Sequence, residues 1–315
     1  MKNRRLKNQE TLVARLRFVP LLIILLIAAG SNVATQTIRR DRNGSHPSRL
    51  RESISMEERE MMERAIDVVC LERKRDSQGS ATIDDMQGRP SLPVNSPEAI
   101  AGGRRAQSLL PAARNLVTRA LSQLAIEYSF RDLVRGSSPR LRRAIARVQA
   151  VKRVKPDMDS RDNASVFLRD PHTITFGTIF LAGLPSDEGM LSVLAHELVH
   201  IADGDRDDLR PLFTAIGRRA GDLTSLKIQD QRAEELTCDL VGAITARSFV
   251  SGSPSYEPLA RRIARSIEHN CVEEDEGDED HLSPRNTIRA LLAIRPSLSR
   301  ELVYGREERP GRPLY

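Results

Sequence analysis

Two histidines four residues apart on a helix project from one face one turn apart, so both imidazoles reach a single ion. His196-Glu197-Leu198-Val199-His200 has this spacing. Glu197 lies beside the pair, where it can contact a metal-bound water. A catalytic zinc site takes three protein ligands and keeps a fourth position open. The longer pattern with a third histidine ten residues after the first fails here, because Arg206 holds that position and Asp203 holds the usual glycine. A glutamate is the ligand then required. Residues 230–249 offer Glu234 and Glu235 on a helix whose other face is Leu236, Leu240, Val241, Ala243 and Ile244. Asp239 falls four residues after Glu235 and shares its face, placed to accept a hydrogen bond from a ligand histidine. Glu234 has Cys238 at the same offset, a poorer partner. The expected set is therefore one Zn²⁺ on His196, His200 and Glu235, with Glu197 as base, Asp239 behind a ligand imidazole, and Glu234 pointing away.

These residues need two helices packed face to face, and the surrounding pattern supplies them. Residues 190–202 carry an apolar stripe of Leu191, Leu194, Leu198 and Ile201, enough to bury the histidine segment. Further helical periods cover 56–75, 112–130, 140–154, 212–226, 258–270 and 286–294. In 140–154 the stripe of Leu141, Ala144, Ile145, Val148 and Val151 is opposed by Arg142, Arg143 and Arg147, read as a solvated face. Two segments rich in β-branched and aromatic residues, SVFLR at 165–169 and TITFGTIFLA at 173–182, read as strands around the turn Asp170-Pro171-His172. Residues 76–103, rich in Ser, Pro and Gly, read as a loop or linker, and EEDEGDED at 273–280 as a solvated acidic loop. The fold class is mainly α with a small β-sheet, α+β.

At the N-terminus a basic region precedes the apolar run FVPLLIILLIAAG at 18–30. Thirteen residues rise about 20 Å as a helix, short of a hydrocarbon core of about 30 Å. Residues 1–34 therefore read as a signal peptide or a retained N-terminal anchor, with export to a periplasmic or extracellular space and membrane association through 18–30. The formal charge of +6 hides an asymmetry: residues 1–40 hold eight basic residues against Glu10, leaving the rest nearly neutral. Basic charge confined to the flanks of an apolar segment argues against nucleic acid as a partner. With no Trp, seven Phe and four Tyr, the core must be aliphatic, which suits packed helices. Of the three cysteines, Cys70 and Cys271 are positioned to pair in an oxidising compartment; three buried free thiols is the equal alternative. Residues 35–106 read as poorly ordered with one helix, 107–305 as the main domain and 306–315 as a tail.

His196-Glu197-Leu198-Val199-His200 followed by Glu235-Leu236-Thr237-Cys238-Asp239 resembles the M48 family of gluzincin zinc metallopeptidases. Asn163-Ala164, then 173–184, then the helix at 190–200 resemble that family's Asn-Ala, edge strand, short loop and active-site helix. Ser283-Pro284 with Arg289 resembles its His-Pro and following Arg, with Ser283 in place of that histidine and His281 two residues early. The resemblance covers about residues 150–295. It implies a zincin-like metallopeptidase core, hydrolysis of flexible polypeptide substrates by a zinc-bound water activated by Glu197, and His281 and Arg289 as further catalytic groups. A catalytically silent zinc-holding chaperone or interaction module is the alternative.

Overall fold

The computed structural model describes residues 53–77, 90–130, 138–161, 163–167, 169–183, 186–252, 262 and 277–304. The expected address at 1–34, the helix at 258–270 and Cys271 lie outside them. Among the described residues, nine α-helices surround a three-stranded sheet: α1 (Met56–Ser77), α2 (Pro97–Glu127), α3 (Pro139–Ala150), β1 (Arg153–Asp157), β2 (Ala164–Val166), β3 (Thr173–Gly177), α4 (Thr178–Gly183), α5 (Asp187–Asp203), α6 (Arg210–Thr224), α7 (Gln231–Gly252), α8 (Pro284–Ile294) and α9 (Pro296–Tyr304). The architecture is mainly helical with a small sheet, in keeping with the aliphatic composition. Among the described helices, none is long and apolar enough to cross a membrane.

α5 lies at the centre of the described helices. It packs most extensively on α7 and then on α2 and α3, and Met190, Leu191, Leu194, Ala195, Leu198, Val199 and Ala202 are fully buried. Its first turn is capped by Ser186, which accepts from the Gly189 amide at 3.0 Å. At the other end Arg147 of α3 donates to the carbonyls of Ile201, Ala202 and Asp203, at 2.7 Å for the last, and to Asp208 Oδ2 at 2.5 Å. A guanidinium on the last carbonyls satisfies orphan acceptors and opposes the helix dipole. Arg143 donates to Asp208 Oδ1 at 2.6 Å. Two of the three arginines expected to form a solvated face thus hold the end of α5, because the acidic loop after it folds back under α3.

Several expectations about the elements need correction. α2 begins at Pro97, not 112, so the domain boundary drawn at 106/107 falls inside a helix and 97–103 is not linker. Pro111 imitates a helix start in sequence, but it lies within a helix whose earlier turns bury Ala99, Ala106, Leu109 and Leu110. Gly102 permits that packing: a Cβ there would stand 2.2 Å from the Leu181 carbonyl oxygen on α4. The long strand at 173–182 ends at Gly177, where the amides of Gly177, Ile179 and Phe180 turn to the carbonyls of Asn163 and Arg161 and α4 begins. β3 is also not an edge. The sheet order is β1-β3-β2, with β1 parallel and β2 antiparallel to β3. β1 escapes sequence detection because RVKPD contains Pro156 and little apolar character; an edge position tolerates the proline.

Cys70 of α1 is disulfide-bonded and Cys238 of α7 is a buried free thiol, so the reading of three free thiols does not hold.

Candidate metal centre

α5 and α7 cross closely because Gly242 faces Ser192: a Cβ at 242 would stand 2.8 Å from Ser192 Oγ and 3.0 Å from its carbonyl oxygen. Leu236, Cys238, Leu240 and Val241 bury the inner side of α7. The turn from Glu234 to Asp239 is thereby set against the two histidines.

His196 Nδ1 lies 2.9 Å from Asp239 Oδ1, and His200 Nδ1 lies 2.9 Å from Glu234 Oε1. An ionised carboxylate only accepts, so each Nδ1 carries its proton, and each Nε2 can serve a metal that displaces its own proton. The two Nε2 atoms are 3.2 Å apart. The Glu235 carboxylate completes the triangle, with Oε2 3.2 Å from His196 Nε2 and Oε1 3.6 Å from His200 Nε2. Ligands about 2.0–2.1 Å from a tetrahedral ion stand about 3.3 Å from one another. The separations of the three donors therefore fit a single metal ion. Side-chain exposures of 22% for His196, 19% for His200 and 12% for Glu235 leave the triangle open on one side.

Cys238 shares the neighbourhood, and the half-buried His196 and His200 with the buried Cys238 have the spacing to hold a metal ion. Its Sγ, however, is 3.8 Å from His200 Nδ1, the nitrogen already taken by Glu234. The Nε2 atoms face Glu235 instead.

The charges around the imidazoles favour a cation. Burial pushes both histidines down, yet acidic neighbours outweigh it and hold both above the ordinary range: Cys238 by its charge when ionised, then Asp239 and Glu235 at His196, and Glu234 and Glu235 at His200. Burial pushes the Cys238 thiol itself up, so the standing negative charges are the carboxylates. Glu235 is pushed up by burial but held well below the carboxylate range by its contacts with the two imidazoles. A metal ion competes for this field with the protons. Glu197, only 6% exposed, is raised by burial, with His196 and His200 pulling it down and Glu235 adding to the rise.

The expected site residues thus divide. His196, His200, Glu235 and Asp239 come together. His281 stands at the rim, Nε2 3.8 Å from Glu235 Oε2 and Nδ1 3.1 Å from Asp278 Oδ1. Arg289 does not join them: it donates to Glu63 Oε1 at 3.1 Å and Asn286 Oδ1 at 2.7 Å, because α8 packs against α1 on that face. Glu234, expected to point away, binds His200. Adjacent helix positions diverge by about 100°, but the imidazole pair is wide enough for Glu235 to meet the Nε2 side and Glu234 the Nδ1 side. An acidic pair preceding Asp239 was the signal available for it.

Compared with protein-family models, curated proteins and solved structures, the chain matches none.

Proposed function

We propose that the chain is a zinc-dependent metalloendopeptidase with a zincin-like core, acting on unfolded or flexible polypeptide segments. The observation that carries the reading is the triangle of His196 Nε2, His200 Nε2 and the Glu235 carboxylate, with both Nδ1 atoms bonded to carboxylates of the same helix. Two imidazoles, one carboxylate and an open side form a donor set typical of catalytic zinc. Zinc held there supplies Lewis-acid polarisation of the scissile carbonyl and acidifies the attacking water.

The protein's own groups do the rest. Glu197, its proton affinity raised by burial, takes the proton of the attacking water and delivers it to the leaving amine. It makes no hydrogen bond to another described residue, which leaves its oxygens available for that transfer. His281, oriented by Asp278 through Nδ1, directs Nε2 toward the site, and in its doubly protonated form the Nε2–H stabilises the oxygen that gains charge. An extended substrate adds to the sheet at β2, the edge strand that packs on α5, rather than at β3, which has neighbours on both sides. A basic region before the apolar run at 18–30 supports an exported compartment for the proposed peptidase, and the disulfide at Cys70 fits an oxidising one.

Metal analysis and turnover of a quenched unfolded polypeptide, measured side by side on wild type and Glu197→Gln, test the proposal. Stoichiometric zinc with turnover abolished in the mutant is expected. Zinc without turnover in the wild type would leave the silent zinc-holding module, and absence of bound metal would remove both.

A further inference from the structure

A second site lies where α1, the C-terminal end of α2, α6, α8 and α9 meet. A cavity of about 170 Å³ opens there, and none of its lining residues belongs to the histidine cluster. Its apolar wall is formed by Ile54, Met62, Leu223, Leu292, Ile294 and Pro296. Three of the polar groups on it can donate a hydrogen bond. Ser299 is only 2% exposed and its Oγ is buried with no partner; the buried Tyr128 hydroxyl also has none. Arg219 has no ion pair among the described residues. The two acids on the wall are engaged: Glu127 pairs with Arg295 at 2.7 Å, and Glu58 Oε2 accepts from the Ser55 amide at 3.0 Å.

Burial, then the Glu127 charge, push the Tyr128 phenol up to about 12, against the pull of Arg295 and Arg219, so it remains a proton donor. Buried hydroxyls in native proteins find partners, and three donors converging on one cavity call for an acceptor with several lone pairs. A cavity of roughly 150 Å³ takes up a benzene ring. We infer that this cavity binds a small apolar monocarboxylate, its carboxylate received by Arg219, Tyr128 and Ser299 and its hydrocarbon laid against Met62, Leu223 and Leu292. A guanidinium supplies the paired N–H geometry that a carboxylate matches, and the apolar wall sets the size of the hydrocarbon.

The test is calorimetric titration of the full-length, zinc-loaded protein with hexanoate and with benzoate. A carboxylate also has affinity for a metal, so Ser299→Leu, which fills the cavity and leaves the histidine cluster untouched, locates the binding. Saturable one-to-one binding is expected, lost in Ser299→Leu and weakened at least tenfold in Arg219→Gln, with zinc content unchanged in both. The neutral analogue 1-hexanol should bind at least tenfold more weakly than hexanoate. No saturable binding at millimolar ligand would mean that water alone meets the hydroxyls, and it overturns the inference. So do binding retained in Ser299→Leu and equal affinity for hexanol. Should Ser299→Leu fail to fold, the half-buried Arg219→Gln decides alone: unchanged affinity overturns the inference.

Discussion

The Glu234 carboxylate lies 2.9 Å from Nδ1 of His200 and fixes which nitrogen of that ring faces His196. Asp239 does the same for His196 from the next turn of α7. One helix therefore orients both imidazoles and places Glu235 between them, so the centre depends on the register of α7 against α5.

Removing the orienting carboxylate should be felt in metal affinity. Glu234→Ala and Asp239→Ala are each expected to weaken zinc binding about 10- to 100-fold, the usual cost of losing a group that orients a ligand histidine. Competition with a chromophoric chelator measures it. An unchanged affinity in Glu234→Ala would show that its contact with His200 orients nothing.

Glu235→Ala should abolish stoichiometric zinc outright, since among the described residues no other carboxylate is paired with both Nε2 atoms. Cys238→Ala should leave zinc bound, because its sulfur lies on the Nδ1 side of His200. The reverse pattern in metal analysis would transfer the third ligand to the thiol.

Glu197→Gln should retain zinc and lose turnover by roughly 10²-fold or more, because an amide cannot take the proton of the attacking water. Rates on an unfolded polypeptide, normalised to bound zinc, give the comparison. Turnover within a few-fold of wild type would reassign the base.

The anchor beneath α5 makes a prediction about acid. The Asp208 side chain is 1% exposed, and hydrogen bonds from Arg143, opposed by burial and aided by Arg147, hold its carboxyl below the ordinary 3.8. The folded state thus binds fewer protons at Asp208 than the unfolded state. Its contribution is full above about pH 4 and disappears as pH falls through the lowered value. Arg147→Ala should cost about 1–3 kcal/mol at neutral pH by leaving Asp208 and the α5 carbonyls underbonded. Urea denaturation in chelator at pH 7 and across pH 2–5 checks both; a variant as stable as wild type at pH 7 would discard the anchor.

How far the sequence reaches is visible in the residues. His196, Glu197 and His200 are legible because a four-residue spacing on a helix fixes their relation locally, whatever surrounds it. Helices with a clear apolar stripe, such as α5, α6 and α8, are found for the same reason, their period being a property of consecutive residues. Asp239 was also within reach, since it shares a helix face with Glu235. What the tertiary structure decided are relations between distant segments. Glu234 was set aside because Cys238, not a carboxylate, stands four residues after it, and only the position of His200 across the α5–α7 crossing gives it a partner. Arg143 and Arg147 looked solvated until the loop carrying Asp208 folded against them. Arg289 matched a family pattern in order but was drawn away by Glu63, more than two hundred residues earlier. β1 and the central place of β3 depend on pairing partners that no local pattern names. Local periodicity fixes which face a side chain occupies on its own element; what that face meets is set by packing between elements, where buried polar groups must find partners wherever the chain brings them.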